Sequence, residues 1–207
     1  MIAALMGTGL AAAAGLNAYI PFLLVGLVSR FSDVLELPDS YRWIENPWVL
    51  TAAGVLLLTE IVLDKIPVID TINDAVGTLV RPLVGGVIFA ATQAAEQVDA
   101  SAWMQDHAWV GAIAGVAVAA VVHVTKTVSR PAINLTTGGA GGPVVSVAED
   151  ASSFSLSLIA IFLPALVIGA LILLGWGLWA MWSRVARARR RIRDGLDGRR
   201  ATGPSPG

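Results

Sequence analysis

The chain opens MIAALMGTGLAAAAGLNAYIPFLLVGLVSR, and nothing in it is charged before Arg30. Crossing the hydrocarbon of a bilayer takes about 20 consecutive apolar residues, and this run supplies them. It lacks the basic n-region of a secretory leader and is too long for a leader's apolar core. It therefore reads as a retained membrane helix rather than a cleaved signal. Composition agrees: 56% of the residues are apolar and 14% charged, against about 25% charged in a soluble domain.

Segments 4–29, 47–63, 82–98 and 109–125 each meet the length test. A fifth, 155–182, is long enough to span with tilt, and Pro164 is expected to kink it. The intervening KTVSRPAINLTTGGAGGPVVSVAED, 126–150, is mostly uncharged but too rich in glycine for a regular helix. Charge asymmetry bears on whether it crosses. Eight of the fourteen Lys and Arg residues follow Trp182, which makes that tail cytoplasmic by the positive-inside rule. If 131–149 crosses as a broken element, the Lys/Arg-free loop 98–108 lies outside and Lys65, Arg81, Lys126 and Arg130 lie on the cytoplasmic side. The expected fold is thus an all-α, polytopic transmembrane helix bundle of about six passes in an inner (cell) membrane, both termini cytoplasmic. Four plain passes, one long pass and a re-entrant glycine-rich loop form the alternative. Residues 1–183 make the membrane domain and 184–207 a basic cytoplasmic tail, with ATGPSPG disordered at its end. Trp43, Trp48, Trp103 and Trp109, and then Trp176, Trp179 and Trp182, flank the apolar segments as interfacial anchors do.

An internal hairpin repeat is a further expectation. A shift of 61 residues places Pro21 on Pro82, Trp48-Val49 on Trp109-Val110, Ala53-Gly54-Val55 on Ala114-Gly115-Val116, and Lys65 on Lys126. TLVRP at 78–82 also resembles TVSRP at 127–131. These matches imply hairpins each entered through a proline. Chance matching among so many Ala, Gly and Val residues is the competing explanation.

Ionisable groups in hydrocarbon are costly, so their positions point to function. TEIVLDKIPVIDTINDAVGTLVRP, 59–82, concentrates Glu60, Asp64, Lys65, Asp70, Asp74 and Arg81. Glu60 and Asp64 share a helix face at four-residue spacing, where two carboxylates repel unless a cation compensates. A cation or proton site fits this group, and so does an interfacial loop with solvated charges. Glu60, between LLLT and IVL, is the deepest of them. The second pointer is NLTTGGAGGPVVS, 134–146. Here Asn134, Thr136, Thr137, Gly138 and Gly139 offer backbone and side-chain polar groups that unwinding exposes. A flexible loop, or close helix packing at glycine, is the plainer reading. Asn17 adds a polar group to the first segment, and His123, Lys126 and Arg130 to the fourth.

The chain has no cysteine and two histidines, His107 and His123. Thiolate and His-rich metal sites are therefore absent, and no motif of a hydrolase, zinc protease or P-loop occurs. No enzyme activity, metal or cofactor is expected. The arginine tail reads as a topology signal touching anionic lipid headgroups, not as a nucleic-acid site.

The run AAAAGLNAYIPFLLVGLVSRF, the E-x-x-x-D-K-I-P-x-x-D stretch from Glu60 to Asp70, and T-x-x-R-P at 78–82 resemble the bacterial membrane protein family called domain of unknown function 4126. The resemblance covers about residues 5–180 and implies a small multi-pass inner-membrane protein without a settled activity. It maps the family's shared residues onto Asn17, Glu60, Asp64, Lys65, Pro67, Asp70, Arg81 and Pro82. Two functions follow as expectations. One is a transporter or channel for an ion or small polar solute, working as a homo-oligomer. The other is a membrane scaffold or assembly factor whose polar cluster is an interaction surface. A lipid-modifying enzyme ranks third.

Overall fold

A computed structural model describes residues 2–66, 69–95 and 107–201. Pro67, Trp103, most of the 98–108 loop and the final TGPSPG fall outside the described residues, as do the side chains of Asp70 and Thr136. Every regular element of the described chain is helical: α1 (Ile2–Leu16), α2 (Tyr19–Phe31), a 3-10 turn (Asp39–Glu45), α3 (Pro47–Leu63), α4 (Ile69–Ala94), α5 (Ala108–Thr137), α6 (Gly141–Phe162), a 3-10 turn (Pro164–Leu166) and α7 (Val167–Ala201).

The first apolar run is not one helix. It breaks at Asn17 and Ala18 into two short helices, and packing shows that they run in opposite directions. Gly7 lies against Phe89 and Ala11 against Gly85, so α1 is antiparallel to α4. Glu60 bonds Arg81 and Asp64 bonds Asn73, so α3 is antiparallel to α4 as well. Tyr19 lines a small void with Glu60, whereas Gly26 abuts Leu50, which makes α2 antiparallel to α3 and therefore to α1. Ala3 and Met6 share one apolar cluster with Phe22, Val25, Ala91 and Ala95. The α1–α2 hairpin thus enters and leaves at the same end of the bundle, here called the upper end, and its tip stops part-way down.

Small size is what lets α1 occupy the centre. Ala11 to Gly15 are all buried, and a Cβ on Gly15 would meet the Ala119 carbonyl at 2.6 Å. Around it, α4 and α5 are antiparallel, with Gly85 against Gly115 and Ala119, and Gly111 against Phe89 and Gln93.

The glycine-rich segment is resolved differently from either sequence reading. Residues 131–137 are the last turns of α5, and Gly141 starts α6. Only 138–140 is non-helical, a tight turn in which Gly138 (φ 61°) and Gly139 (φ 89°) take the left-handed conformation that favours glycine. The segment is the lower apex of the α5–α6 hairpin. Pro164 likewise ends a helix instead of kinking one, because 155–182 divides into the end of α6 and the start of α7. Ile159 and Ala170, on either side of that turn, line one groove with Val145 and Leu178, so α7 folds back along α6. Pro82 and Pro131 stand inside α4 and α5 and do not open them. The proposed repeat gains no support from Lys65 and Lys126, which the shift equates. Lys65 donates to its own helix at Ile61 O (2.8 Å), whereas Lys126 is 1% exposed in the bundle centre.

Three of the described helices are long and apolar enough to cross a membrane: Ile72–Ala94, Trp109–Leu135 and Gly141–Phe162. Asp39–Glu45 with Pro47–Leu63 makes a fourth if that pair, bent by 53°, counts as one span. Asn46 caps the bend, accepting from Trp48 N at 2.9 Å, and Pro47 fills the first helical position, where no amide is needed. The bundle is inside out relative to a soluble protein. Leu58, Val62, Leu79, Ile113, Val121, Ile172 and Trp176 face outward, while Arg81, Lys126 and Arg130 are buried. This is the distribution of a helical membrane protein.

Candidate functional site

Below the glycine-packed half, the facing sides of α3, α4, α5 and α6 carry charge. Arg81 is 1% exposed and lies over Gly77, whose missing side chain leaves room for the guanidinium. It donates to Glu60 Oε1 (2.7 Å) and Asp74 Oδ1 (3.0 Å). Its Nη1 also donates to His123 Nδ1 at 2.8 Å. Arginine only donates, so Nδ1 accepts and the neutral ring carries its proton on Nε2, 3.0 Å from Thr78 Oγ1. Thr78 Oγ1 spends its own proton on Asp74 O (2.9 Å) and is free to accept.

One turn and two turns below His123 come Lys126 and Arg130. Arg130 Nη2 donates to Asp64 Oδ2 (2.8 Å) and Glu149 Oε2 (2.6 Å), and its Nε lies 3.5 Å from Asp74 Oδ2. Lys126 Nζ lies 3.0 Å from Glu149 Oε2, 3.6 Å from Asp64 Oδ2 and 3.9 Å from Asp74 Oδ1. Asn73 secures the remaining Asp64 oxygen at 2.7 Å. Each of these two cations is therefore shared among three carboxylates.

The tip of the α1–α2 hairpin sits against this network and is satisfied by it. Lys126 Nζ donates to Leu16 O (3.0 Å), placing a positive charge at the carbonyl end of α1, where the helix dipole favours it. Asn17 Oδ1 caps α2, accepting from Tyr19 N (3.0 Å) and Ile20 N (3.3 Å), while its Nδ2 donates to Asp150 Oδ1 (2.9 Å). Ser153 Oγ completes the join, bonding Ala13 O (3.0 Å) and Asn17 O (3.3 Å). A helix break at this depth is tolerable because neighbouring side chains satisfy its exposed backbone groups.

Of the residues singled out in the sequence, Asn17, Glu60, Asp64, Asp74, Arg81, Lys126 and Arg130 come together here. Lys65 stays at the end of α3, outside the network. Asn134, Thr137, Gly138 and Gly139 belong to the lower turn: Gly139 N donates to Asn134 O (2.8 Å), and Gly141 N to Thr137 Oγ1 (2.9 Å). Glu149 and Asp150 complete the network and were not singled out. Their signal was available, an adjacent acid pair inside the otherwise uncharged VVSVAEDASSFSLSLIAIF.

By formal charge the network does not balance. Glu60, Asp64, Asp74, Glu149 and Asp150 oppose Arg81, Lys126 and Arg130, five acids against three bases with His123 neutral. Glu60 Oε2 and Glu149 Oε1 are buried without a hydrogen-bond partner. Among the described residues, no group of His, Asp and Glu has the geometry to hold a metal ion.

Fold and site together define an all-helical membrane protein with a charged interior. The chain belongs to the family described as Domain of unknown function (DUF4126), whose profile matches residues 4–184. No curated protein and no solved structure matches it.

Proposed function

We propose that this protein is an inner-membrane transporter or channel that passes a cation or proton through the network at the hairpin tip. The carrying observation is the excess of two carboxylates at that tip, with Glu60 Oε2 and Glu149 Oε1 left as open acceptors. Charge buried this deep is unfavourable unless compensated, and a proton or cation supplies compensation. The shared bases give it a route. A positive charge arriving at Glu149 weakens that residue's hold on Lys126 and Arg130, both already within reach of Asp64 and Asp74.

The helix directions support five passes, α3 to α7, plus the re-entrant α1–α2 hairpin. The lower end then faces the cytoplasm, because α7 runs down into the arginine tail, and the N-terminus lies on the opposite side. The tail's arginines meet anionic headgroups. Few passes enclose little volume, which favours a homo-oligomer.

Scaffolding is the second reading, favoured by one observation: the void beside Glu60 is only about 10 Å³. Reconstituted vesicles separate the two. Wild type is expected to dissipate an imposed proton or alkali-cation gradient, and folded Glu60→Gln to do so at least ~10-fold more slowly, about 1.4 kcal/mol in the barrier. Wild-type vesicles as tight as protein-free ones would leave the scaffold.

A further inference from the structure

Between α6 and α7 lies a lateral groove of about 390 Å³, within the size range of small-molecule sites. Its walls are apolar, with Leu156 and Ile159 on α6 facing Leu174 and Leu178 on α7. Glu149 lines the same groove. It is 7% exposed, and its Oε2 is committed to Lys126 and Arg130 while Oε1 has no partner. The neighbouring Ser152 hydroxyl is committed to Ala148 O at 2.7 Å, so it does not meet that need.

We infer that this groove binds an amphiphile with a protonated amine head and a single apolar chain. The chain lies between α6 and α7, and the ammonium N–H donates to Glu149 Oε1. A buried carboxylate oxygen without a partner, on a side chain that lines an apolar channel, calls for a donor, and the net negative charge of the network favours a cationic donor over a hydroxyl. A carboxylate or phosphate head would meet Glu149 as a like charge. The inference rests on the proposed function in treating the Glu149 network as the site and supplies its substrate class, a lipophilic cation arriving from within the bilayer.

Full-length protein in nanodiscs of neutral lipid is titrated with dodecylammonium, dodecanol and dodecanoate, with binding read by calorimetry. Ala148→Phe fills the groove from an exposed lining position. Val147→Phe adds the same bulk at the next residue, which is 53% exposed and outside the groove lining. The expected result is dodecylammonium binding at least ~10-fold tighter than either other probe. Ala148→Phe is expected to abolish that preference, and Val147→Phe to keep it. Equal binding of all three probes, or a preference indifferent to Ala148→Phe, overturns the proposal. Gradient dissipation measured on the same preparations keeps the two claims apart. Flux without ammonium selectivity defeats the groove alone, and selectivity without flux defeats the transport reading while leaving the groove.

Discussion

Helices α4 and α5 are joined by two kinds of contact along a single line. In the upper half the contact is glycine and alanine, with Gly85 against Gly115 and Ala119, close enough that a Cβ on Gly115 would collide with the Gly85 carbonyl oxygen. In the lower half the same two helices meet through Arg81, His123, Asp74 and Arg130. Lipid offers no hydrophobic drive for helices to associate, so close backbone approach and polar contacts must supply it. The upper half uses the first, with the two backbones in close approach. The lower half uses the second, and its bases already reach more than one acid each. Close packing permits one arrangement; a shared charge network permits several of similar energy. The moving part of this protein is therefore expected in the lower half, with the upper half as its fixed frame.

Substitutions test that division. The largest effect is expected from Arg130→Ala, which leaves Asp64 and Glu149 with one base between them. Breaking a buried pair from one side costs about 3–5 kcal/mol, read as lost thermal stability in detergent. Arg130→Met combined with Glu149→Leu should recover part of that stability while flux stays lost, since apolar groups of similar volume replace buried ion pairs at little cost. Full recovery of both would show that the network is packing alone. In the upper half, Gly115→Leu is expected to destabilise by about 1–3 kcal/mol, because the obstacle is backbone and not a movable side chain. Per-molecule flux in whatever protein remains folded should be normal. The smallest effect belongs to the hairpin tip, where Asn17→Ala removes the α2 cap. A loss of about 1 kcal/mol is expected, with flux altered more than stability because the tip touches the network through Asp150.

How legible this was in the sequence depended on which physical signal carried each part. Charge inside an apolar run is conspicuous, and it marks Glu60, Asp64, Asp74, Arg81, Lys126 and Arg130 in the sequence itself. Glu149 and Asp150 send the same signal but stood at the edge of a segment read as a crossing from 131 to 149, so their embedding at the third turn of α6 was hidden. The reversal at Asn17 was hidden by length: hydropathy counts apolar residues and does not distinguish one long helix from two short antiparallel ones. The distinguishing mark is side-chain size. Apart from Leu10, α1 holds nothing larger than threonine from Gly7 to Gly15, the composition of a helix enclosed by others rather than facing lipid. Polar and flexible residues misled in the other direction, since Gly138 and Gly139 serve a turn and Lys65 a helix end.

That reversal is also what makes the two halves different, because it brings the hairpin tip down to the charge network and stops it there. The chain has no cysteine, so single cysteines at Ile2 and Ser183 report its two ends directly. Intact cells are treated with a membrane-impermeant maleimide before and after permeabilisation. If α1 and α2 form a re-entrant hairpin followed by five passes, Ile2→Cys labels in intact cells and Ser183→Cys only after permeabilisation. Labelling of both only after permeabilisation would place both ends in the cytoplasm, restore residues 4–29 as a full span, and contradict the account.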